Sequence, residues 1–239
     1  MSLVKARLRN LIARQRFARR GLHPFAQANL HALEGLDPER PAADFRYVAL
    51  DLETTGLDPQ QDRVVSVGAV RVVQGRVRLG EVFSELVNPG RDIPAEAVKV
   101  HGITPDKIAS APHGALVFED FLGFLGRDIL VAHYARFDLH FINRVMNQRY
   151  GFPLQNLVID TVLMCQALVL PSDPYGIGRH QQACRLESLA GRFGLPQPER
   201  HTALGDALTT AMIFQRMLAR LAEKGGGRLK DLLRVAMLK

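Results

Sequence analysis

Asp51 and Glu53 stand one residue apart at the end of the apolar run Tyr47-Val48-Ala49-Leu50. The run reads as a buried strand, and residues two apart on a strand point to the same face. The two carboxylates therefore lie side by side at the end of a core element, where like charges repel. A hard divalent cation removes that cost, and Mg²⁺ typically takes one or two carboxylates plus phosphate oxygens. An acidic turn, Thr54-Thr55-Gly56, would give the same short pattern without any metal, because Asp-x-Glu is common. The pair gains meaning only if further carboxylates and a base reach the same place.

Three later positions meet that need. Asp138 closes the stretch His133-Tyr134-Ala135-Arg136-Phe137-Asp138 and opens a helix, where an acidic residue also complements the helix dipole. His201 and Asp206 flank the start of a longer helix. Were both helical they would sit roughly 140° apart, so they converge only if His201 precedes the helix and Thr202 caps it. Ala203, Ala207 and Ala211 surround Asp206, and small neighbours are what a tightly packed carboxylate needs. An imidazole takes up a proton near neutral pH, which makes His201 a candidate general base.

The elements that position these groups follow from the pattern. After the strand ending at Asp51, residues 64–73 are β-branched, Gln74-Gly75 is a tight turn, and Arg76 to Val87 forms a third strand. A short helix spans Ala95 to Val100, and Thr104-Pro105 starts the next. Pro112 to Leu125 is an amphipathic helix, Asp128 to His133 a short strand, and Phe137 to Tyr150 a helix. Leu157 to Asp160 is another short strand, with Asp160 capping a helix over Thr161 to Leu170. Residues 171–184 read as a loop, Arg185 to Phe193 and Thr202 to Glu223 as helices, and Arg228 to Lys239 as a final amphipathic helix. A meander followed by alternating helices and strands implies an α/β fold with a mixed sheet of about five strands. Ligand sites in such sheets lie at the carboxyl ends of central strands, where Asp51 falls.

The composition suits one ordinary globular domain with appended segments: 239 residues, 47% hydrophobic, 23% charged, net charge +7. The excess sits at the ends. Residues 1–44 hold eight Lys/Arg against four Asp/Glu, residues 221–239 five against two, and the middle is neutral. Residues 3–20 form a basic helix on which Val4, Leu8, Leu11, Ile12 and Gln15 could line one face. It fits a solvated arm, a docked helix, a phosphate contact or a membrane-surface helix. Residues 35–44 read as a linker. Cys165 and Cys184 have no metal or redox spacing and read as buried thiols of a reducing compartment, the cytoplasm. No apolar run is long enough to span a membrane.

Asp51-Leu52-Glu53-Thr54-Thr55-Gly56, His133-x-x-x-Phe137-Asp138 and His201-x-Ala203-x-x-Asp206, in this order, resemble the three motifs of the DEDDh 3′→5′ exonucleases. That family includes the epsilon subunit and PolC-type exonuclease domain of bacterial DNA polymerase III, on a ribonuclease H-like fold. The resemblance covers about residues 45–222, leaving 1–44 as a basic extension and linker and 223–239 as a C-terminal basic helix. Val100-His101-Gly102-Ile103-Thr104 resembles the family segment that packs on the terminal nucleotide. Tyr134 departs from the Asn usual after the His of the second motif.

The resemblance implies two Mg²⁺ or Mn²⁺ ions held by Asp51, Glu53, Asp138 and Asp206, with His201 as general base and nucleoside 5′-monophosphates as products. Thr54, Thr55, Gly56, Leu57, His101 and Phe137 are the implied contacts to the terminal nucleotide. The expected partner is nucleic acid with a free single-stranded or frayed 3′ end, DNA ahead of RNA, with a DNA polymerase as a further candidate partner. Two alternatives stand beside this reading: an RNA 3′-end trimming enzyme, and a non-hydrolytic nucleic-acid-binding module.

Overall fold

In the computed structural model, which describes residues 3–17, 21–170 and 182–238, the meander forms as the pattern predicts. Strands β1 (Arg46–Thr54), β2 (Val64–Val73) and β3 (Arg76–Leu86) pair antiparallel. Gln74 and Gly75 both take left-handed φ values, 52° and 66°, as a two-residue hairpin turn requires. Strands β4 (Ile129–Ala132) and β5 (Val158–Asp160) then add in parallel on the other side of β1. The result is a five-stranded mixed sheet in the order β3-β2-β1-β4-β5.

The helices in chain order are α1 (Leu3–Phe17), α2 (Pro24–Leu30), α3 (Ala95–His101), α4 (Pro105–Ile108), α5 (Gly114–Leu125) and α6 (Arg136–Tyr150). They continue with α7 (Thr161–Leu168), α8 (Leu186–Arg192), α9 (Ala203–Glu223) and α10 (Leu229–Ala236). Alternate residues of β1 feed two cores. Tyr47 and Ala49 face α9 through Phe214, Met217 and Leu221. Val48 and Leu50 face α5 and α6 through Phe121, Leu125, Ile142 and Met146. The sheet is thus covered on both sides, and β1, its central strand, delivers Asp51 and Glu53 from a dry interior.

Of the readings open for α1, the structure gives a docked helix whose apolar stripe faces outward: Val4, Leu8, Leu11 and Ile12 are exposed, Val4 by 75%. The buried face carries Ala6, Asn10, Ala13 and Phe17 instead. Small residues let the helix approach closely, Phe17 packs on Phe152, and the Asn10 side chain donates to the Leu30 carbonyl at 3.0 Å. Packing and hydrogen bonding outweigh the bulk of the outer residues here. One expectation is overturned, that of the cysteines. Both are buried, as expected, but Cys165 and Cys184 are joined in a disulfide with Cα atoms 5.8 Å apart. The bond ties α7 to the turn before α8. Most of the loop read at 171–184 lies outside the described residues.

The segment read as a linker, 35–44, runs along the start of α10. Leu229 and Lys230 donate backbone bonds to the carbonyls of Arg40 and Pro38, and Ala42 donates to Gly227. Arg228 and Lys230 both pair with Glu39 at 2.7 Å. Among the described residues no helix is long and apolar enough to cross a membrane.

Candidate active site

The site is built where α9 lands on the sheet. Asp51 of β1 lies opposite Gly68 of β2, and Glu53 opposite Ser66. A Cβ added at Gly68 would overlap the backbone of Ala203 and Leu204. Glycine at this place therefore lets the first turn of α9 sit directly on the strand beside Asp51. The signal was present in the sequence as a glycine inside a β-branched strand, which often marks a close backbone approach. The start of α9 is fixed by Thr202, whose hydroxyl accepts from the Gly205 amide at 3.1 Å and donates to the Glu199 carbonyl at 2.7 Å. Gly205 has no room for a side chain either, because the carbonyls of Pro198 and Glu199 pack against it.

This landing brings Asp206 to the two strand carboxylates. One oxygen each from Asp51, Glu53 and Asp206 lie within 4.8 Å of one another. Asp138, in the first turn of α6, is 2% exposed and flanks that trio. Its carboxylate is held by the backbone of Leu52 and by its own amide. Asp160 caps α7 as expected, accepting from the Val162 amide at 2.8 Å. It also takes the backbone amides of Tyr134 and Ala135, and so pins the corner between β4 and α6. Tyr134 needs that support, since its φ is 58° and a bulky residue rarely adopts it. Its ring stands edge-on to His133. His133 Nδ1 is 2.8 Å from the Thr161 hydroxyl, and burial pushes the imidazole down to about 4, so the ring is neutral near pH 7.

The electrostatics are those of a site that wants a cation. Burial raises Asp51 well above the usual carboxylate range, and Asp138, Glu53 and Asp206 add to the shift. Burial, then Asp206, pushes Glu53 up to about 7. Burial raises Asp138 and Asp206 as well. Among the described residues the cation at the cluster is Arg200, which pairs with Glu187 at 2.6 Å and with Asp206 at 3.5 Å. Sequence reasoning passed over both Arg200 and Glu187; the one available hint was a basic residue next to His201. Converging carboxylate oxygens that repel one another when ionised are a donor set for a hard divalent ion, so the residues present fit the metal that the motifs imply.

The other expected site residues divide. Leu57 is 83% exposed and Phe137 half-buried, and both line a cleft of about 570 Å³ together with Asp51, Tyr134 and Asp206. The Thr54 and Thr55 hydroxyls turn inward, to the Gly56 carbonyl and the Asp62 carboxylate. Gly56 abuts that same carboxylate, which leaves no space for a Cβ. His101 is buried, its Nδ1 accepting from the Ile103 amide at 3.0 Å while the ring interacts with the Thr54 backbone. His201 is exposed at the rim with φ 60°, and its backbone amide reaches the Asp206 carboxylate.

The family model described as Exonuclease (RNase_T) matches residues 48–214, a span that runs from β1 into α9 and encloses all four carboxylates. A DNA polymerase III subunit epsilon-like protein of Rhodobacter capsulatus is 42% identical over 190 residues, covering 78% of this chain and 26% of that one. The DNA polymerase III subunit epsilon of Treponema pallidum is 38% identical over 180 residues, covering 75% of this chain and 80% of that one. The chain thus spans about a quarter of the first relative's length and most of the second's. Escherichia coli exonuclease I bound to a dT13 oligonucleotide superposes with a TM-score of 0.62 at 20% identity, over 76% of this chain and 42% of that one. The nuclease domain of 3′hExo, a DEDDh family member bound to rAMP, gives 0.62 at 14% identity, over 79% and 97%. These two likenesses are of fold, that of the ribonuclease H-like exonucleases. The sequence matches carry the rest: the chain belongs to the exonuclease family.

Proposed function

We propose that this chain removes single nucleotides from the 3′ ends of single-stranded or frayed DNA, releasing nucleoside 5′-monophosphates. Asp51, Glu53, Asp138 and Asp206 are the residues that would hold two divalent ions, Mg²⁺ or Mn²⁺. Bound there, such ions lower the pKa of water and stabilise the leaving oxygen of a phosphodiester. The observation that carries this reading is the convergence of the Asp51, Glu53 and Asp206 oxygens at one strand end.

The chain's own groups do the rest. His201, at the rim beside Asp206, takes the proton of the attacking water and passes it to solvent. Leu57 and Phe137 offer apolar surface to the terminal bases, a contact that tolerates any sequence. Thr54, Thr55 and His101 shape the wall beneath them rather than presenting free side-chain donors, and Gly56 lets that wall close on Asp62. Residues 45–222 form the catalytic unit in this reading, with 1–44 and 223–239 as its basic ends. The names of the relatives favour DNA and association with a DNA polymerase. The neighbour bound to rAMP keeps RNA as a second substrate class.

The test is hydrolysis of matched 5′-labelled single-stranded DNA and RNA oligomers with Mg²⁺, Mn²⁺ or EDTA, beside Asp51→Ala. The expected result is a ladder from the 3′ end, faster on DNA, that vanishes in EDTA and in the variant. Hydrolysis undiminished in Asp51→Ala would refute the site. Tight binding of both oligomers with no ladder under any metal would point to the non-hydrolytic module.

A further inference from the structure

Arg200 occupies an unusual place. Its side chain is 21% exposed and enters the acidic cluster between Glu187 of α8 and Asp206 of α9. The two contacts differ in kind. With Glu187 it makes a hydrogen bond at 2.6 Å. With Asp206 it makes only an ion pair at 3.5 Å, and Asp206 Oδ1 has no hydrogen-bond partner among the described residues. Arg200 Nη1 is also buried without a partner. The guanidinium is therefore tied firmly to Glu187 and loosely to Asp206. Its charge nonetheless reaches the whole cluster, offsetting part of the repulsion felt by Asp51, Glu53 and Asp206.

The backbone around it is strained. Glu199 and His201, the residues on either side, have φ values of 39° and 60°. Left-handed conformations of such residues are disfavoured and persist only where neighbouring contacts impose them. The contacts here are the Thr202 hydroxyl on the Glu199 carbonyl, the close packing on Gly205, and the two ion pairs of Arg200. One consequence is that Arg200 points in while His201, the adjacent residue, is exposed.

We propose that Arg200 is the resident counter-ion of the metal-free site: it holds Asp206 and the His201 loop in place, competes with the divalent ion for Asp206, and yields that carboxylate when the ion binds. Glu187 keeps the displaced guanidinium close by. Arg200 is on this view a positioning residue, and metal occupancy is coupled through it to the freedom of His201. The inference rests on the reading that Asp51, Glu53 and Asp206 hold metal.

The test is calorimetric titration of the full chain with Mn²⁺, for wild type, Arg200→Gln, Arg200→Ala and Arg200→Lys, with melting temperatures in EDTA and in saturating Mn²⁺. An ion pair of this exposure removed from an anionic site should tighten Mn²⁺ binding by about two- to fivefold in the Gln and Ala variants. Arg200→Lys should fall between them and wild type. The neutral variants should melt lower than wild type in EDTA and recover in Mn²⁺, because the ion takes over the lost charge. Mn²⁺ affinity unchanged or weakened in a folded Arg200→Gln would overturn the proposal, as would equal destabilisation with and without Mn²⁺. No Mn²⁺ binding by the wild-type chain would overturn this inference together with the metal reading beneath it.

Discussion

Two groups of buried polar side chains sit on opposite sides of the molecule's logic. Behind β4 and β5, Asn10, Asn29, Gln155 and Asn156 are nearly inaccessible to solvent. Their amides close on one another and on backbone: Asn29 bonds to Asn156, Gln155 N donates to Asn29 at 3.0 Å, and Asn156 donates to the carbonyls of Gly126 and Asp128. At the carboxyl end of β1, Asp138 and Asp206 are buried and Asp51 and Glu53 part-buried, and Asp138, Glu53 and Asp206 make Asp51 harder to ionise, as Asp206 does Glu53. The first group meets its own needs and fastens the N-terminal helices to the domain. The second does not. A buried polar cluster that satisfies itself serves the fold, whereas one left in mutual repulsion is built for a ligand.

The sharpest way to break this contrast is to replace one member of each group. Asp51→Asn should lower exonuclease turnover by on the order of a thousandfold or more, since a metal ligand is lost. The same change should raise the melting temperature of the EDTA-treated protein, because the most crowded charge is gone. Asn29→Ala should do the opposite. It leaves the Gln155 amide and the Asn156 side chain without their partner, at a cost of about 2–3 kcal/mol. That corresponds to a melting temperature lower by about 5–10 °C for a chain of this size, with turnover per folded molecule retained. An Asp51→Asn protein that melts lower in EDTA, or an Asn29→Ala protein that is folded but inactive, would erase the distinction.

The two groups also differ in how far the sequence disclosed them. The acidic site was legible because each carboxylate is tied to an element by local rules: Asp51 and Glu53 by strand alternation, Asp206 by the Thr202 cap, Asp138 by its place at a helix start. The mixed five-stranded sheet followed from a meander and two short apolar strands, although its strand order did not. The tertiary supports were not legible. Gly68 looks like any weak point in a strand until the first turn of α9 is laid over it. Arg200 and Glu187 lie thirteen residues apart and meet only through the packing of α8 against α9. Which face of α1 docks was not legible, because a count of large apolar residues outweighs Ala6, Asn10 and Ala13 in any periodicity argument. What buries those small residues is a partner, the 152–156 segment, that local pattern does not reveal. The cysteine pair likewise depends on how α7 and α8 dock rather than on its spacing.

The smallest effect gives the finest test, since one cluster titrates near neutral pH and the other has nothing to titrate. Glu53 is pushed up to about 7 from an ordinary 4.5 in the metal-free protein. A raised folded-state pKa means the folded chain holds its proton more tightly than the unfolded one. The resulting stability is full below the unfolded value and is lost as pH rises through about 7. His133 works in the other direction: burial lowers it to about 4, so it weakens the fold as pH falls below the ordinary imidazole range. At about pH 6.5 the unfolded chain already holds half a proton on His133 and the folded chain none, which takes back about 0.4 kcal/mol, so the Glu53 contribution is read as the difference between wild type and Glu53→Gln. Lowering the pH from about 8 to about 6.5 in EDTA should stabilise the protein by about 1 kcal/mol through Glu53, and Glu53→Gln should remove that gain. With Mn²⁺ present the trend should reverse, because the ion needs ionised carboxylates and its stabilising effect grows with pH. The loss caused by Asn29→Ala should be the same at both pH values. A wild-type slope that Glu53→Gln leaves intact would move the titration to Asp51, Asp138 or Asp206, whose shifts have the same sign.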